Sequence, residues 1–140
     1  MERKEFIKTT CNICLLGAAG ILLPQLIGCS PGASVYKTAI ANNKLEVPAN
    51  LFDKAALQLV RPQGWYYDIA VQKNENNTYS ALLLKCTHQD NQLTMSGNGY
   101  QCSLHGSQFD KAGKVKKGPA EIPLKSYETT IIDNRIIINL

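Results

Sequence analysis

Cys86-Thr87-His88 and, after an interval of thirteen residues, Cys102-Ser103-Leu104-His105-Gly106-Ser107 are the stretches on which the reading of this chain turns. They contain the only two histidines in 140 residues, and each lies within three positions of a cysteine. Two thiolates and two imidazoles on two short segments are a soft, borderline-soft donor set for a transition metal. Such a set can hold an iron–sulfur cluster with sulfur ligands on one iron and nitrogen ligands on the other. The candidate ligands are Cys86, His88, Cys102 and His105. From spacing alone two other readings stay open. A structural zinc ion takes the same Cys2His2 donors, although fingers usually place their histidines together. Cys86 and Cys102 also suit one disulfide in an oxidising compartment, which leaves both histidines without a role.

Outward from these stretches, residues Cys86 to Pro119 are rich in Gly, Ser, Asn and Gln, and read as loops and short strands inserted into a sheet. Strand-like runs flank them on both sides: Val35–Ile40, Lys44–Pro48, Leu57–Val60, Trp65–Gln72 and Thr78–Lys85 before, Ile122–Leu124, Glu128–Ile132 and Arg135–Leu140 after. Tyr67, Ile69 and Val71 alternate with Asp68, Ala70 and Gln72, which predicts a strand with one covered face. Asn74-Glu75-Asn76-Asn77 and Asp133-Asn134 predict hairpin turns, because asparagine and aspartate tolerate left-handed backbone. No long helical periodicity follows residue 29. The expected fold is mainly β, a small antiparallel sandwich or barrel-like domain, with strands holding the fold and loops holding the chemistry.

Length and composition set the bounds. One domain is the natural reading, with a core modest enough for a metal centre to contribute to folding. The net charge of +4 is mild. Lys111, Lys114, Lys116 and Lys117 form a short basic run without aromatic interleaving, so nucleic-acid binding is not expected. That run reads first as a solvated turn and second as a docking patch for an acidic partner.

Three of the five cysteines fall in the first 29 residues. That segment opens with Arg3, Lys4 and Lys8, then runs apolar from Ile13 to Ile27, interrupted by Pro24 and Gln25. It fits an export signal better than a spanning helix, an uncleaved membrane anchor being the second reading. Leu26-Ile27-Gly28-Cys29 resembles the lipobox of bacterial lipoproteins, which implies lipidation of Cys29. Arg3-Lys4-Glu5-Phe6-Ile7-Lys8 resembles a twin-arginine export signal with Lys4 in place of the second arginine; such a route exports folded, cofactor-loaded proteins. Cys11-Asn12-Ile13-Cys14 has redox spacing but lies inside this segment, where it reads as incidental. The expected organisation is 1–28 export signal or anchor, 29–34 tether and 35–140 folded domain, with the cluster-binding part near 86–119.

The two cysteine–histidine stretches, extended through Gln108-Phe109-Asp110, resemble the cluster-binding loops of Rieske [2Fe-2S] proteins. Lys117-Gly118-Pro119-Ala120, then Ile122-Pro123-Leu124 and Tyr127, is similar to that family's proline loop and its return into the base sheet. The resemblance spans roughly residues 60 to 140. It implies a [2Fe-2S] cluster with Cys86 and Cys102 on the inner iron and His88 and His105 on the outer, solvent-facing iron. It also implies a hydroxyl donor to a bridging sulfide at Ser107, and at Phe109 the loss of a tyrosine hydroxyl that would bond to a ligand sulfur. Pro119 would stiffen the covering loop. Asn91 and Leu104 stand where high-potential members carry a disulfide, so an intermediate potential is expected. Ser107 and the glycine–proline loop together weigh against zinc.

The physics of such a centre can be argued independently. Two ferric ions, two sulfides and two thiolates sum to zero charge with neutral imidazoles, whereas an all-cysteine centre starts at −2. The extra electron therefore enters more easily, and such centres span about −150 to +300 mV. A second imidazole nitrogen can couple a proton to the electron.

The function expected is one-electron transfer by an extracytoplasmic, membrane-tethered protein, in the periplasm or cell envelope. Its partner would be a cytochrome or the large subunit of an oxidoreductase, with the membrane reached through an N-terminal lipid or anchor. Quinol oxidation within a cytochrome complex is the second reading, and a ferredoxin component feeding a cytoplasmic oxygenase, opposed mainly by the N-terminus, the third; the non-redox alternative is a metal-stabilised module that only binds another protein. No catalytic residue is assigned. Replacing Cys29 with Ser is expected to move the protein from the membrane fraction to the soluble fraction. Retention on membranes would mark an uncleaved anchor instead.

Overall fold

Short runs of β-branched and aromatic residues between asparagine- and glycine-bearing turns favour pleated strands over helix. The computed structural model describes residues 34–140. The export-signal, lipidation and Cys11–Cys14 expectations, with Cys29 and the start of the tether, lie outside the described residues. Among the described residues, no helix is long and apolar enough to cross a membrane.

The strands are β1 (Val35–Thr38), β2 (Lys44–Pro48), β3 (Leu57–Pro62), β4 (Ile69–Lys73), β5 (Tyr79–Leu83), β6 (Thr94–Ser96), β7 (Gly99–Gln101), β8 (Gln108–Asp110), β9 (Val115–Lys117), β10 (Ser126–Tyr127), β11 (Thr129–Ile132) and β12 (Arg135–Asn139). One 3-10 turn, Ala49–Phe52, follows β2. They form a five-stranded sheet ordered β1-β3-β4-β5-β10, a three-stranded sheet β11-β12-β2, and a four-stranded sheet β6-β7-β8-β9. Pairing is antiparallel except between β1 and β3. The mainly antiparallel β expectation holds, and the small third sheet falls in sequence between β5 and β10.

Turn chemistry places the chain reversals. Asp133 and Asn134 both take positive φ (47° and 62°), as a type I′ hairpin requires, and join β11 to β12. Asn77 (φ 58°) and the Asn74 N–H to Thr78 carbonyl bond of 2.8 Å close the β4–β5 hairpin. A third such turn, Asn42-Asn43 (φ 50° and 60°), lies between Ala41 and Lys44, which exchange backbone bonds of 3.0 and 2.9 Å. It carries the chain from the first sheet into the second.

Two expectations about strands need correction. The strand foreseen from Trp65 begins only at Ile69. The Trp65 N–H turns back to the Pro62 carbonyl (3.0 Å), and Gly64 takes φ +81° between them. Asp68 is occupied by Arg61, which donates through Nε at 2.6 Å and through Nη2 at 2.9 Å. Ile122–Leu124 is not a strand, because the Ile122 carbonyl accepts from Thr87 Oγ1 (2.8 Å) rather than from a neighbouring ladder.

The alternation across β4 also understates its burial. Ile69 and Val71 join a core with Leu45, Val47, Val60, Ile136 and Ile138, between the first and second sheets. Ala70, on the opposite face, joins a second core with Leu82, Leu84, Leu93, Tyr100 and Phe109. The first sheet is thus covered on both faces, and its central strands belong to two cores at once. Ile138 is fully buried, whereas Ile131 on the paired strand is 54% exposed. Ile138→Ala is therefore expected to lower unfolding free energy by about 2–5 kcal/mol. Ile131→Ala should stay within about 0.5 kcal/mol in the same urea titration.

Candidate metal centre

Both cysteine–histidine segments fold the same way. Cys86 donates its backbone N–H to the Asn91 carbonyl, and Cys102 donates its own to the Ser107 carbonyl, each at 2.9 Å. Each loop therefore returns to the residue five positions after its cysteine. In the second loop the Gly106 N–H also bonds to the Cys102 carbonyl (3.0 Å), and Gly106 takes φ +78°, a conformation that costs glycine little. The loops grow from the second core: Cys86 and Cys102 are 1% and 0% exposed and pack with Leu84, Leu93 and Phe109. His88 and His105 stand in solvent at the loop tips.

The side chains meet in pairs. The imidazole centroids of His88 and His105 are 5.0 Å apart with ring planes 89° to one another. Cys86 and Cys102 are both free and both buried. Burial is the largest single influence and pushes the Cys102 thiol up, but several smaller effects together leave it below its ordinary value. These are the backbone N–H groups of Leu104 and His105, the Asn91 amide and the Cys86 thiol. A lowered thiol pKa suits a ligand sulfur. Cys86 and Cys102 thus form a buried pair and His88 and His105 an exposed pair.

Ser107 is completely buried, and its Oγ accepts the Ala120 N–H at 3.0 Å. No protein acceptor for its own proton is found among the described residues. Phe109, 1% exposed, lies opposite Tyr100 across the β7–β8 ladder and brings only apolar contact. Gly99, also in that ladder opposite Asp110, has no room for a side chain, because a Cβ there would strike the Phe109 carbonyl oxygen. Pro119 is exposed, and its covering loop is tied down just after it, at Ala120 by Ser107 and at Ile122 by Thr87. The donor chemistry fits a [2Fe-2S] unit: two buried thiols, one of them with a lowered pKa, two exposed imidazoles and a buried hydroxyl.

Asn91 is the contributor that sequence reasoning passed over. It drew notice only as the place where a disulfide cysteine was absent. Its side-chain amide stands 3.5 Å from Cys102 Sγ and 3.5 Å from Ser103 Oγ. A single asparagine in a loop rich in Asn and Gln carries no sequence signal that separates it from its neighbours.

Comparison with known proteins agrees with this geometry. The family model for the Rieske [2Fe-2S] domain matches residues 46–128. The iron–sulfur subunit of the cytochrome b6-f complex from a Cyanothece species is 31% identical over an alignment of 156 residues, covering 97% of this chain and 83% of the relative. The corresponding subunit from Synechococcus elongatus is 27% identical over 123 residues, covering 84% of this chain and 68% of that protein. Among solved structures, a complex of reduced oxygenase and oxidised ferredoxin in carbazole 1,9a-dioxygenase superposes with a TM-score of 0.52 at 21% identity, covering 71% of this chain and 94% of the other. A hyperthermophilic respiratory Complex III chain gives 0.51 at 16% identity, covering 96% and 99%. These two show the fold. With a family model spanning more than half of its length over two such loops, the chain belongs to the Rieske [2Fe-2S] domain family and binds a [2Fe-2S] cluster.

Proposed function

We propose that this chain passes one electron at a time through a [2Fe-2S] cluster held by Cys86 and Cys102 on one iron and by His88 and His105 on the other. It acts as a subunit or partner of a membrane-associated oxidoreductase. The observation that carries the reading is the polarity of the site, with both thiols buried and both imidazoles exposed side by side.

When bound, the cluster supplies a one-electron carrier. The protein supplies everything that directs it. Burial of the thiols excludes water from the sulfur end and strengthens each hydrogen bond made there. Exposure of the imidazoles gives a partner direct access to the nitrogen end. Each ring then presents a second nitrogen able to hold or release a proton at the surface. The Ser107 hydroxyl would offer a hydrogen bond to a cluster sulfur, which would favour the more negative, reduced state.

Quinol oxidation within a cytochrome complex is a second reading, favoured by the surface around the imidazoles. Leu104 is 54% exposed and Ile122 61% exposed, an apolar rim suited to a ligand or partner that is itself apolar. The b6-f relatives support it, whereas the residues at 91 and 104 set this chain apart from disulfide-bearing members. On the N-terminal side, the proposal keeps 1–28 as export signal or anchor, 29–34 as tether and 35–140 as the folded domain. Lipidation at Cys29 would place that domain on the extracytoplasmic face of the membrane. The apolar run and Cys29 motif support this.

His105→Ala is expected to abolish the electron paramagnetic resonance signal of the reduced, mixed-ligand cluster; an unchanged signal would remove His105 from the ligand set. Ser107→Ala is expected to keep that signal but lower the midpoint potential by about 60 mV, the equivalent of tenfold in a one-electron equilibrium. An unaltered voltammogram would remove the proposed hydroxyl donor.

A further inference from the structure

Three chain segments enclose the site: the loop Cys86–Asn91, the loop Cys102–Ser107 and the segment Gly118–Ile122. Side-chain hydrogen bonds join all three pairs. Thr87 Oγ1 donates to the Ile122 carbonyl at 2.8 Å, linking the first loop to the third segment. Ser107 Oγ accepts the Ala120 N–H at 3.0 Å, linking the second loop to the third segment. The remaining side, loop to loop, is closed by Asn91 Nδ2, with Cys102 Sγ and Ser103 Oγ each at 3.5 Å.

The position of Asn91 is set from both ends. Its backbone carbonyl accepts the Cys86 N–H that closes the first loop. Its side chain, half-buried, then reaches across to the other cysteine. One residue therefore touches both cysteines, through its main chain on one side and its amide on the other. An amide N–H aimed at a thiolate sulfur stabilises negative charge there, more so when an added electron raises the charge on sulfur. Phe109 brings no hydroxyl to the centre, and this amide is a polar donor that the sequence reading did not supply.

We propose that Asn91 is the positioning and tuning residue of this centre: its side-chain amide holds the two ligand loops together and raises the reduction potential by donating to the Cys102 sulfur. This rests on the ligand assignment above. It is distinct from the Ser107 effect, because it acts on a cysteine ligand and across the two loops.

The test uses the cluster-loaded full chain and two substitutions, read by voltammetry and electron paramagnetic resonance. Asn91→Leu keeps the branched shape and number of heavy atoms, though it is bulkier, and removes the donor. It is expected to lower the midpoint potential by about tenfold in the reduction equilibrium, about 59 mV for one electron. Asn91→Gln, which retains an amide, is expected to recover part of that shift. A wild-type potential in Asn91→Leu with an intact resonance signal overturns the proposal. A second measurement needs no variant. With 15N placed only in asparagine side-chain amides, pulsed resonance on the reduced wild-type chain should resolve a weak amide coupling. Imidazole nitrogen couplings without any amide coupling overturn the role of Asn91 alone. Absence of imidazole couplings overturns the ligand assignment, and this inference with it.

Discussion

The structure depends on a conflict between two solvent requirements. The sulfur ligands of a redox centre must be shielded from water, while its nitrogen ligands must meet a partner. The loops resolve this with one backbone hydrogen bond each, from the cysteine N–H to the carbonyl five residues on. That bond holds the cysteine at the root of the loop, in contact with Leu84, Leu93 and Phe109. The histidine is left at the tip because the chain between root and return is too short to bury it as well.

The roots can be dry only because something apolar lies beneath them. That support is the first sheet, whose central strands contribute to two cores. Ile69 and Val71 face the second sheet, and Ala70 faces the region that carries the loops. A strand buried on both faces couples the base to the site: displacement on one side is felt on the other through close-packed side chains. Arg61 and Asp68 reinforce the junction. Their two-point ion pair fixes the entry to β4, and the Asp68 N–H bonds to Gln92 Oε1 at 3.0 Å, just beyond the first loop.

A disulfide between the loops would contribute about 2–4 kcal/mol by restricting the unfolded chain. Here Asn91, Thr87 and Ser107 each tie one pair of segments, and a hydrogen bond is worth about 0.5–1.5 kcal/mol. Three such ties reach a comparable total, but the means differ. Each tie can break and re-form, and two of them involve the groups proposed to tune the cluster. On that proposal, restraint and electrostatic tuning fall to the same side chains.

Much of the protein was legible in its sequence. The pairing of each histidine with a cysteine, read with the loops around it, pointed to the family and its [2Fe-2S] cofactor. Asp133-Asn134 and Asn74–Asn77 announced hairpins, since left-handed backbone falls to few residue types. β2 was read at its true limits, Lys44–Pro48, where alternating burial is clean. The failures have physical causes too. Trp65–Asp68 has strand-like composition, but Gly64 and the Arg61–Asp68 pair claim its backbone and side chains for a turn. The second covered face of β4 was invisible because Ala70 is small and Gln72 polar; burial there is imposed by a sheet remote in sequence. Local chemistry, carried by neighbours within a few residues, is thus written in the chain itself. The loop-to-loop reach of Asn91 and the two-sided core arise from contacts between distant segments, which only folding brings within a few ångströms.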